Sequence, residues 1–291
     1  MGSFASVNGE ISPADQARVS VLDTGFVFGD GVYETLRTYS GRPFLLDRHL
    51  ARLRASAARL GIEVSRSDES LARELDLVLS RARNPESYIR FIVTRGAGDM
   101  SYRFERVKGP TVVIVVKPYE PLPDRHYTDG VPVIISSIRR NHPRALDPAI
   151  KSCNLLNSIL SVREAQASGA LEPILLNDAG DVAEGASSNV FIVKDGAALT
   201  PPLSAGILAG VTRALLLELC ADWGVPAREE TLRAADLIGA DEAFLSSTIK
   251  EVVPITTIDG KPVGSGRPGP VTVRILQGFR EYARVSVPAR A

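Results

Sequence analysis

Strand-like and helix-like segments follow one another along this chain without a regular alternation. Apolar residues in alternation or in continuous runs predict strands, and apolar residues at helical spacing predict helices. Predicted strands cover 19–22, 31–39, 88–94, 111–116, 131–138, 173–176, 189–194, 243–246 and 252–257. Predicted helices cover 45–60, 152–168 and 211–223, and two more begin near 67 and 271. Because strands outnumber helices and do not alternate with them, the sequence predicts an α+β fold rather than a doubly wound sheet.

A proline-rich segment near the middle of the chain predicts a connection between two domains. Pro118, Pro121 and Pro123 stand among charged residues there. Proline interrupts helices and sheet ladders, so such a stretch is typical of a linker. With 291 residues the chain is long enough to form two hydrophobic cores. We therefore expect a small N-terminal domain at 1–117, a linker at 118–130 and a larger domain at 131–291.

Charge and composition argue against several classes of partner. Acidic and basic residues balance at 34 each, so no overall charge favours nucleic acid or a membrane surface. Two cysteines do not make a disulfide framework, and the three histidines show no metal-ligand spacing. No apolar run is long enough to span a membrane. We expect a cytoplasmic protein without a metal site.

Lys151 stands out because lysine is rare in this chain and because its neighbours are apolar or small. Only six of the 34 basic residues are lysines. A lysine in an apolar segment loses hydration, which lowers its pKa and favours the neutral, nucleophilic amine. Such an amine can form a Schiff base with a carbonyl compound. The alternative is a lysine that caps the start of the predicted helix.

Three further segments carry candidate binding groups. The segment 207–213 leads into a predicted helix, and backbone N–H groups at a helix start suit an anion such as phosphate. Glu184 lies among small residues before a predicted buried strand, where a buried carboxylate needs a partner. Arg52 lies on the predicted helix 45–60, from which an arginine can clamp a phosphate. The alternatives are an ordinary glycine turn, a glutamate in solvent and a solvated arginine.

Seven segments occur together and in order along nearly the whole chain. They are 23–37 (DTGFVFGDGVYETLR), 49–53 (HLARL), 94–99 (TRGAGD), 150–156 (IKSCNLL), 184–191 (EGASSNVF), 206–213 (GILAGVTR) and 246–251 (SSTIKE). In this combination the chain resembles the class IV aminotransferases, the fold-type-IV family of pyridoxal-phosphate enzymes. That family includes branched-chain aminotransferases, D-amino acid aminotransferases and aminodeoxychorismate lyases.

The resemblance implies a role for each matching residue. Lys151 would hold pyridoxal phosphate as an internal aldimine and carry a proton between substrate and cofactor. Glu184 would pair with the pyridine nitrogen. The phosphate ligands would be Arg52, Val211, Thr212 and Thr248. The substrate pocket would be lined by Tyr33, Thr248 and Ile249.

The resemblance also implies an architecture. It comprises a smaller N-terminal α/β domain, a larger C-terminal β-rich domain with flanking helices, active sites at the domain junction and a homodimer. The implied reaction is a ping-pong transamination, in which an amino group moves from an amino acid to a 2-oxo acid such as 2-oxoglutarate.

The substrate pocket departs from both of the transaminase subfamilies that the chain resembles. Branched-chain enzymes usually carry a tyrosine where this chain has Leu155. D-amino acid enzymes carry an Arg-x-His after the Thr-Arg-Gly segment, where this chain has 99–103 (DMSYR). Arg95 or Arg103 could anchor a substrate carboxylate, and a surface ion pair is the alternative for each. We favour branched-chain or other hydrophobic L-amino acids as donors, then D-amino acids, then the lyase reaction. A protein that only carries the cofactor is a further alternative.

Overall fold

The computed structural model describes residues 1–286, which form two compact units. The first unit comprises Met1–Glu120, Ile150–Asn154 and 284–286. The second comprises Pro121–Ala149 and Leu155–Ala283. Both contain helices and a sheet, so the predicted α+β class is confirmed. No helix within residues 1–286 is both long and apolar enough to cross a membrane.

The first unit is a six-stranded sheet with helices. In chain order its elements are β1 (Phe4–Val7), β2 (Glu10–Pro13), α1 (Thr24–Phe28), β3 (Gly31–Tyr39), β4 (Arg42–Pro43), α2 (Leu46–Arg59), α3 (Asp68–Ala82), β5 (Ser87–Thr94) and β6 (Thr111–Pro118). The strand order is β2-β1-β6-β5-β3-β4, and every pair is antiparallel.

The two faces of this sheet differ because side chains alternate along each strand. On β3, Val32 and Leu36 are fully buried and share the core face with Glu34. The core face packs against α2 and α3, whose apolar residues recur at helical spacing. Tyr33 on β3 and Arg90 on β5 alternate with these core residues and therefore point to the opposite face.

The second unit is built around a nine-stranded sheet. Its elements are α4 (Arg125–Thr128), β7 (Val131–Ile135), α5 (Leu156–Ala167), β8 (Glu172–Leu176), β9 (Val182–Gly185), β10 (Asn189–Lys194), β11 (Ala197–Thr200), α6 (Val211–Leu219), β12 (Ala227–Glu229), α7 (Ala234–Ile238), β13 (Glu242–Ser247), β14 (Glu251–Ile258), β15 (Lys261–Pro262) and α8 (Pro270–Ser286). The order is β12-β11-β10-β13-β14-β7-β8-β9, and β15 pairs with β14. Parallel and antiparallel pairs are mixed.

Two predicted elements were wrong. The segment 19–22 is not a strand: Val19, Val21 and Leu22 are exposed, and an apolar run without a sheet partner does not form a ladder. The predicted helix at 152–168 begins only at Leu156, because Ser152 instead forms an antiparallel bridge to Val32.

Several short strands were not predicted. One is β9, which occupies a stretch of small residues and pairs with β8. The others are β1, β2, β4, β11, β12 and β15.

The boundaries of the compact units differ in three places from the predicted domain boundaries at 1–117, 118–130 and 131–291, which remain a prediction. One difference is that residues 284–286, at the end of α8, belong to the first unit. The predicted linker contains the short helix α4 and passes from one unit to the other between Glu120 and Pro121. The segment Ile150–Asn154 belongs to the first unit, although it is distant from it in sequence.

Candidate active site

The backbone around Lys151 forms hydrogen bonds to the beginning of strand β3. The Tyr33 N–H donates to the Lys151 carbonyl at 2.9 Å, and the Cys153 N–H donates to the Gly31 carbonyl at 2.8 Å. The Lys151 N–H donates to the Ser56 hydroxyl on α2 at 3.1 Å. Three hydrogen bonds to two elements therefore hold the lysine backbone in place.

The Lys151 side chain lies over an aromatic ring on the outer face of the sheet. Its Nζ is 4.6 Å from the centre of the Tyr33 ring. The Arg90 guanidinium is 4.1 Å from the centre of the same ring. Burial is the main cause that raises the pKa of Tyr33 above its ordinary value, and the Arg90 charge opposes it in part. The phenol is therefore neutral at neutral pH, and the Lys151 amine and the Arg90 guanidinium share the face of its ring.

Arg90 is a candidate functional residue that the sequence did not indicate. It is partly buried, and within residues 1–286 its guanidinium has no carboxylate partner and stacks on Tyr33. Arginines in such positions usually form an ion pair. The signal that could have identified Arg90 is its place in β5, where it alternates with the core residues Ile89 and Phe91.

Arg52 is held by a buried carboxylate on the core face of β3. Its Nε and Nη2 donate to the two oxygens of Glu34 at 2.6 and 2.8 Å. His49 Nδ1, one turn earlier on α2, lies 2.7 Å from Glu34 Oε2. Glu34 and His49 are fully buried. The bidentate contact fixes the orientation of the guanidinium, which the sequence predicted to bind phosphate.

Burial and ion pairing shift the pKa values of Glu34 and His49 in opposite directions. Burial raises the pKa of Glu34, but hydrogen bonds from Arg52 and His49 and their charges outweigh it and lower the pKa to about 2. Burial lowers the pKa of His49, and the contact with Glu34 opposes that shift only in part. At neutral pH the cluster therefore contains an ionised Glu34, a charged Arg52 and a neutral His49.

The two arginines that the sequence suggested as carboxylate anchors lie in different surroundings. Arg95 donates from Nε to Asp30 at 2.6 Å and from Nη2 to the Leu60 carbonyl at 2.8 Å, and its guanidinium lies over the Phe104 ring. Arg103 is exposed in the loop after β5. For Arg95 these contacts favour the alternative role, a structural ion pair.

Glu184 lies on β9 in the second unit and is only 5 % exposed. Its Oε1 accepts from Arg140 Nε at 2.9 Å, and its Oε2 accepts from the Leu208 N–H at 3.0 Å and from Asn189 Nδ2 at 3.3 Å. The guanidinium is the positively charged partner that a buried carboxylate needs. Arg140 also donates to Asn157 Oδ1 at 3.1 Å, so it is itself fixed. Arg140 is a second residue that the sequence did not indicate.

The start of α6 has the features of an anion site. Its N-cap is Gly210, which supplies no side-chain cap, and Val211 and Thr212 form the first turn. A Cβ at Gly210 would lie 1.9 Å from Asn189 Oδ1, so only glycine allows this close approach. The Thr212 hydroxyl is 3.4 Å from the Thr248 hydroxyl, and both residues are buried. Thr248 and the partly buried Ile249 lie in the turn between β13 and β14. Backbone N–H groups and paired hydroxyls are the donors that a phosphate requires.

Comparison with known protein families decides the classification of the chain. The family described as "Amino-transferase class IV" matches residues 31–258. The chain is a class IV aminotransferase. This confirms the family that the sequence motifs indicated.

Two proteins similar to this class IV aminotransferase carry different names. A protein of Methanocaldococcus jannaschii named "Putative branched-chain-amino-acid aminotransferase" is 38 % identical over 278 residues and aligns over 94 % of each chain. A D-alanine aminotransferase of Bacillus licheniformis is 37 % identical over 268 residues, which cover 92 % of this chain and 93 % of that protein.

A solved structure of this class is also similar throughout. The branched-chain amino acid aminotransferase of Thermobaculum terrenum, solved in its PLP form, superposes with a TM-score of 0.86 at 28 % identity. The match covers 96 % of this aminotransferase and 93 % of that chain. The similarity confirms the predicted fold type IV.

Replacing Glu34 by Gln removes a charge whose effect on stability depends on pH. Because the pKa of Glu34 falls from 4.5 to about 2 on folding, the carboxylate stabilises the fold above pH 4.5 and loses this effect as the pH falls towards 2. The shift corresponds to about 3 kcal/mol. We expect urea unfolding to show that Glu34→Gln is destabilised by that order at about pH 6, and by roughly half of that or less at about pH 3.

The exposed Glu10→Gln is the control for this measurement, and it should match the wild type at both pH values. A stability difference between wild type and Glu34→Gln that stays constant with pH would contradict the ion pairing of this buried cluster.

Proposed function

We propose that this class IV aminotransferase uses pyridoxal phosphate to move an amino group from an amino acid to a 2-oxo acid such as 2-oxoglutarate. The observation that carries the proposal is the placement of Lys151: its backbone is held by β3 and α2, and its amine lies over the Tyr33 ring. A Schiff-base lysine needs a fixed backbone and an amine whose hydration is reduced.

The chemistry of the donors in each unit fits this cofactor. The start of α6 offers the Val211 and Thr212 N–H groups, and the Thr212 and Thr248 hydroxyls lie beside each other. These groups would hold the phosphate, and Arg52, oriented by Glu34, would add a positive charge. The similar enzyme of Thermobaculum terrenum was solved in its PLP form, which supports the same cofactor here.

Glu184 would hold the proton on the pyridine nitrogen, because Arg140 pairs with its carboxylate and the Leu208 N–H keeps that carboxylate oriented. Arg140 provides a cation beside that carboxylate. We propose that it also binds the phenolic oxygen of the cofactor, since the side chain of Leu155 cannot form a hydrogen bond to that oxygen. When bound, pyridoxal phosphate supplies a carbonyl that reacts with amines and a ring that accepts an electron pair.

Lys151 would perform the proton transfers of the reaction. Its amine would be the base that accepts the proton from the substrate Cα and the acid that gives it back. The same group serves the donor amino acid and then the acceptor, so the two half-reactions alternate in ping-pong order. The Tyr33 ring under Nζ limits the positions that this amine can reach.

Replacing Lys151 by Ala tests the proposal. We expect turnover to fall at least about a hundredfold, the lower end of what a positioned general acid–base contributes. We also expect the variant, mixed with pyridoxal phosphate, to lack the absorbance near the visible edge that the wild type shows. Lys194→Ala is the matched control because Lys194 is an exposed lysine paired with Asp241.

Retained turnover in Lys151→Ala would remove the proposal. A wild type that binds the cofactor and transfers no amino group from any donor would instead favour the lyase reaction or a cofactor carrier. In the wild type, loss of the absorbance on addition of an amino acid distinguishes a catalyst from a carrier.

We propose that the Arg90 guanidinium binds the carboxylate of the substrate. This side chain shares the Tyr33 ring with Lys151, lacks a carboxylate partner within residues 1–286 and is partly buried. A guanidinium in this setting binds a carboxylate through two parallel hydrogen bonds.

Hydrophobic L-amino acids remain the favoured donors and D-amino acids the alternative, because similar enzymes carry both kinds of name.

Three arginine variants separate the candidate carboxylate anchors. We expect Arg90→Met to raise the KM for 2-oxoglutarate about tenfold or more, the effect of losing one charge-assisted contact. Arg103→Met should leave this KM unchanged. Arg95→Met should lower thermal stability instead, because Asp30 and the Leu60 carbonyl lose their partner. Steady-state kinetics with a panel of L- and D-donors measures KM and handedness together.

A raised KM in Arg103→Met, with Arg90→Met like the wild type, would overturn the assignment of the carboxylate.

A homodimer also stays a proposal from the family resemblance. Light scattering tests it, since a single chain has a mass of 31.2 kDa.

A further inference from the structure

A lysine in the second unit forms a hydrogen-bonded network with a buried glutamate and an exposed serine. Glu172, at the start of β8, is 2 % exposed. Lys250 Nζ donates to Glu172 Oε2 and, at 2.7 Å, to the Ser187 hydroxyl. The Ser187 N–H and hydroxyl donate to Glu172 Oε1 at 2.6 and 3.1 Å. The three side chains therefore close a ring of hydrogen bonds around one carboxylate.

The ring connects two segments that carry proposed cofactor ligands. Lys250 is the last residue of the turn between β13 and β14, which contains Thr248. Ser187 lies between β9, which carries Glu184, and β10. Glu172 lies in neither segment and accepts hydrogen bonds from both. The network thus sets the distance between the Thr248 turn and the Glu184 strand.

The surroundings of the carboxylate leave little room for movement. A Cβ at Gly185 would lie 2.8 Å from Glu172 Oε1 and 2.5 Å from the Ser188 hydroxyl. Burial raises the pKa of Glu172, but the Lys250 charge and the hydrogen bonds outweigh it and leave the pKa below its ordinary value. Glu172 is therefore ionised at neutral pH, and Lys250 is its charge partner.

Stability alone does not account for such a pair. Replacing a buried ion pair by apolar residues of similar volume is often neutral, because desolvation offsets the attraction. What a buried pair with several hydrogen bonds does provide is a defined geometry. Here that geometry concerns two segments of the proposed cofactor site.

We propose that Lys250 is a positioning residue: through Glu172 and Ser187 it holds the Thr248 hydroxyl beside the Thr212 hydroxyl, so that the pair receives the cofactor phosphate. This inference rests on the proposed function. It predicts that loss of Lys250 weakens binding of the phosphate group more than binding of the pyridine ring.

Titration of the purified protein with pyridoxal phosphate and with pyridoxal, which lacks the phosphate, tests the inference. We expect Lys250→Met to weaken the affinity for pyridoxal phosphate about tenfold or more, as when one charge-assisted hydrogen bond is misaligned. The affinity for pyridoxal should change about twofold at most. Lys250→Arg, which keeps the charge, should recover most of the loss. Lys194→Met is the matched control and should behave like the wild type.

The outcomes separate this inference from the proposed function. If the wild type does not bind pyridoxal phosphate, the proposed function fails. If the wild type binds it and Lys250→Met binds both ligands like the control, only the positioning role is overturned. Equal losses for both ligands would also overturn it, because a general structural role predicts that result. If Lys250→Met does not fold, Ser187→Ala is measured in its place with the same expected pattern.

Discussion

The proposed site depends on the antiparallel pairing of the Lys151 segment with the beginning of β3. Two backbone hydrogen bonds, from Tyr33 to Lys151 and from Cys153 to Gly31, place a lysine from the middle of the chain against an early strand. The alternation of β3 then determines the surroundings of the amine. Tyr33 points to the face that Lys151 occupies, and Glu34 points to the core, where it holds Arg52.

Charged groups in both units follow one physical rule. Each buried carboxylate that we assign to the site or its support has a basic partner: Glu34 has Arg52, Glu184 has Arg140, and Glu172 has Lys250. Burial of an unpaired charge costs several kcal/mol or more, so these pairs are required by the fold as well as useful to the site. Within residues 1–286 the partly buried Arg90 has no carboxylate partner of this kind, which is the reason for assigning it to the substrate.

Sequence periodicity predicted β3 and α2 well, because both have strong alternation or helical spacing over many residues. It could not predict that residues 150–154 pair with β3, because a contact across more than a hundred residues leaves no periodic signal. For the same reason the helix start was placed at Ser152 rather than Leu156. The sequence indicated Lys151 and Glu184, first by their neighbours and then by the family motifs, whereas Arg90 and Arg140 became visible only through their three-dimensional partners.

The central claim is that the amine of Lys151 is the group that joins the cofactor. Reduction of the protein with borohydride in the presence of pyridoxal phosphate, followed by mass spectrometry of its peptides, tests this claim most directly. We predict one stoichiometric pyridoxyl label, on the peptide that contains Lys151. A label on another lysine, such as Lys250, or no label at all would contradict it.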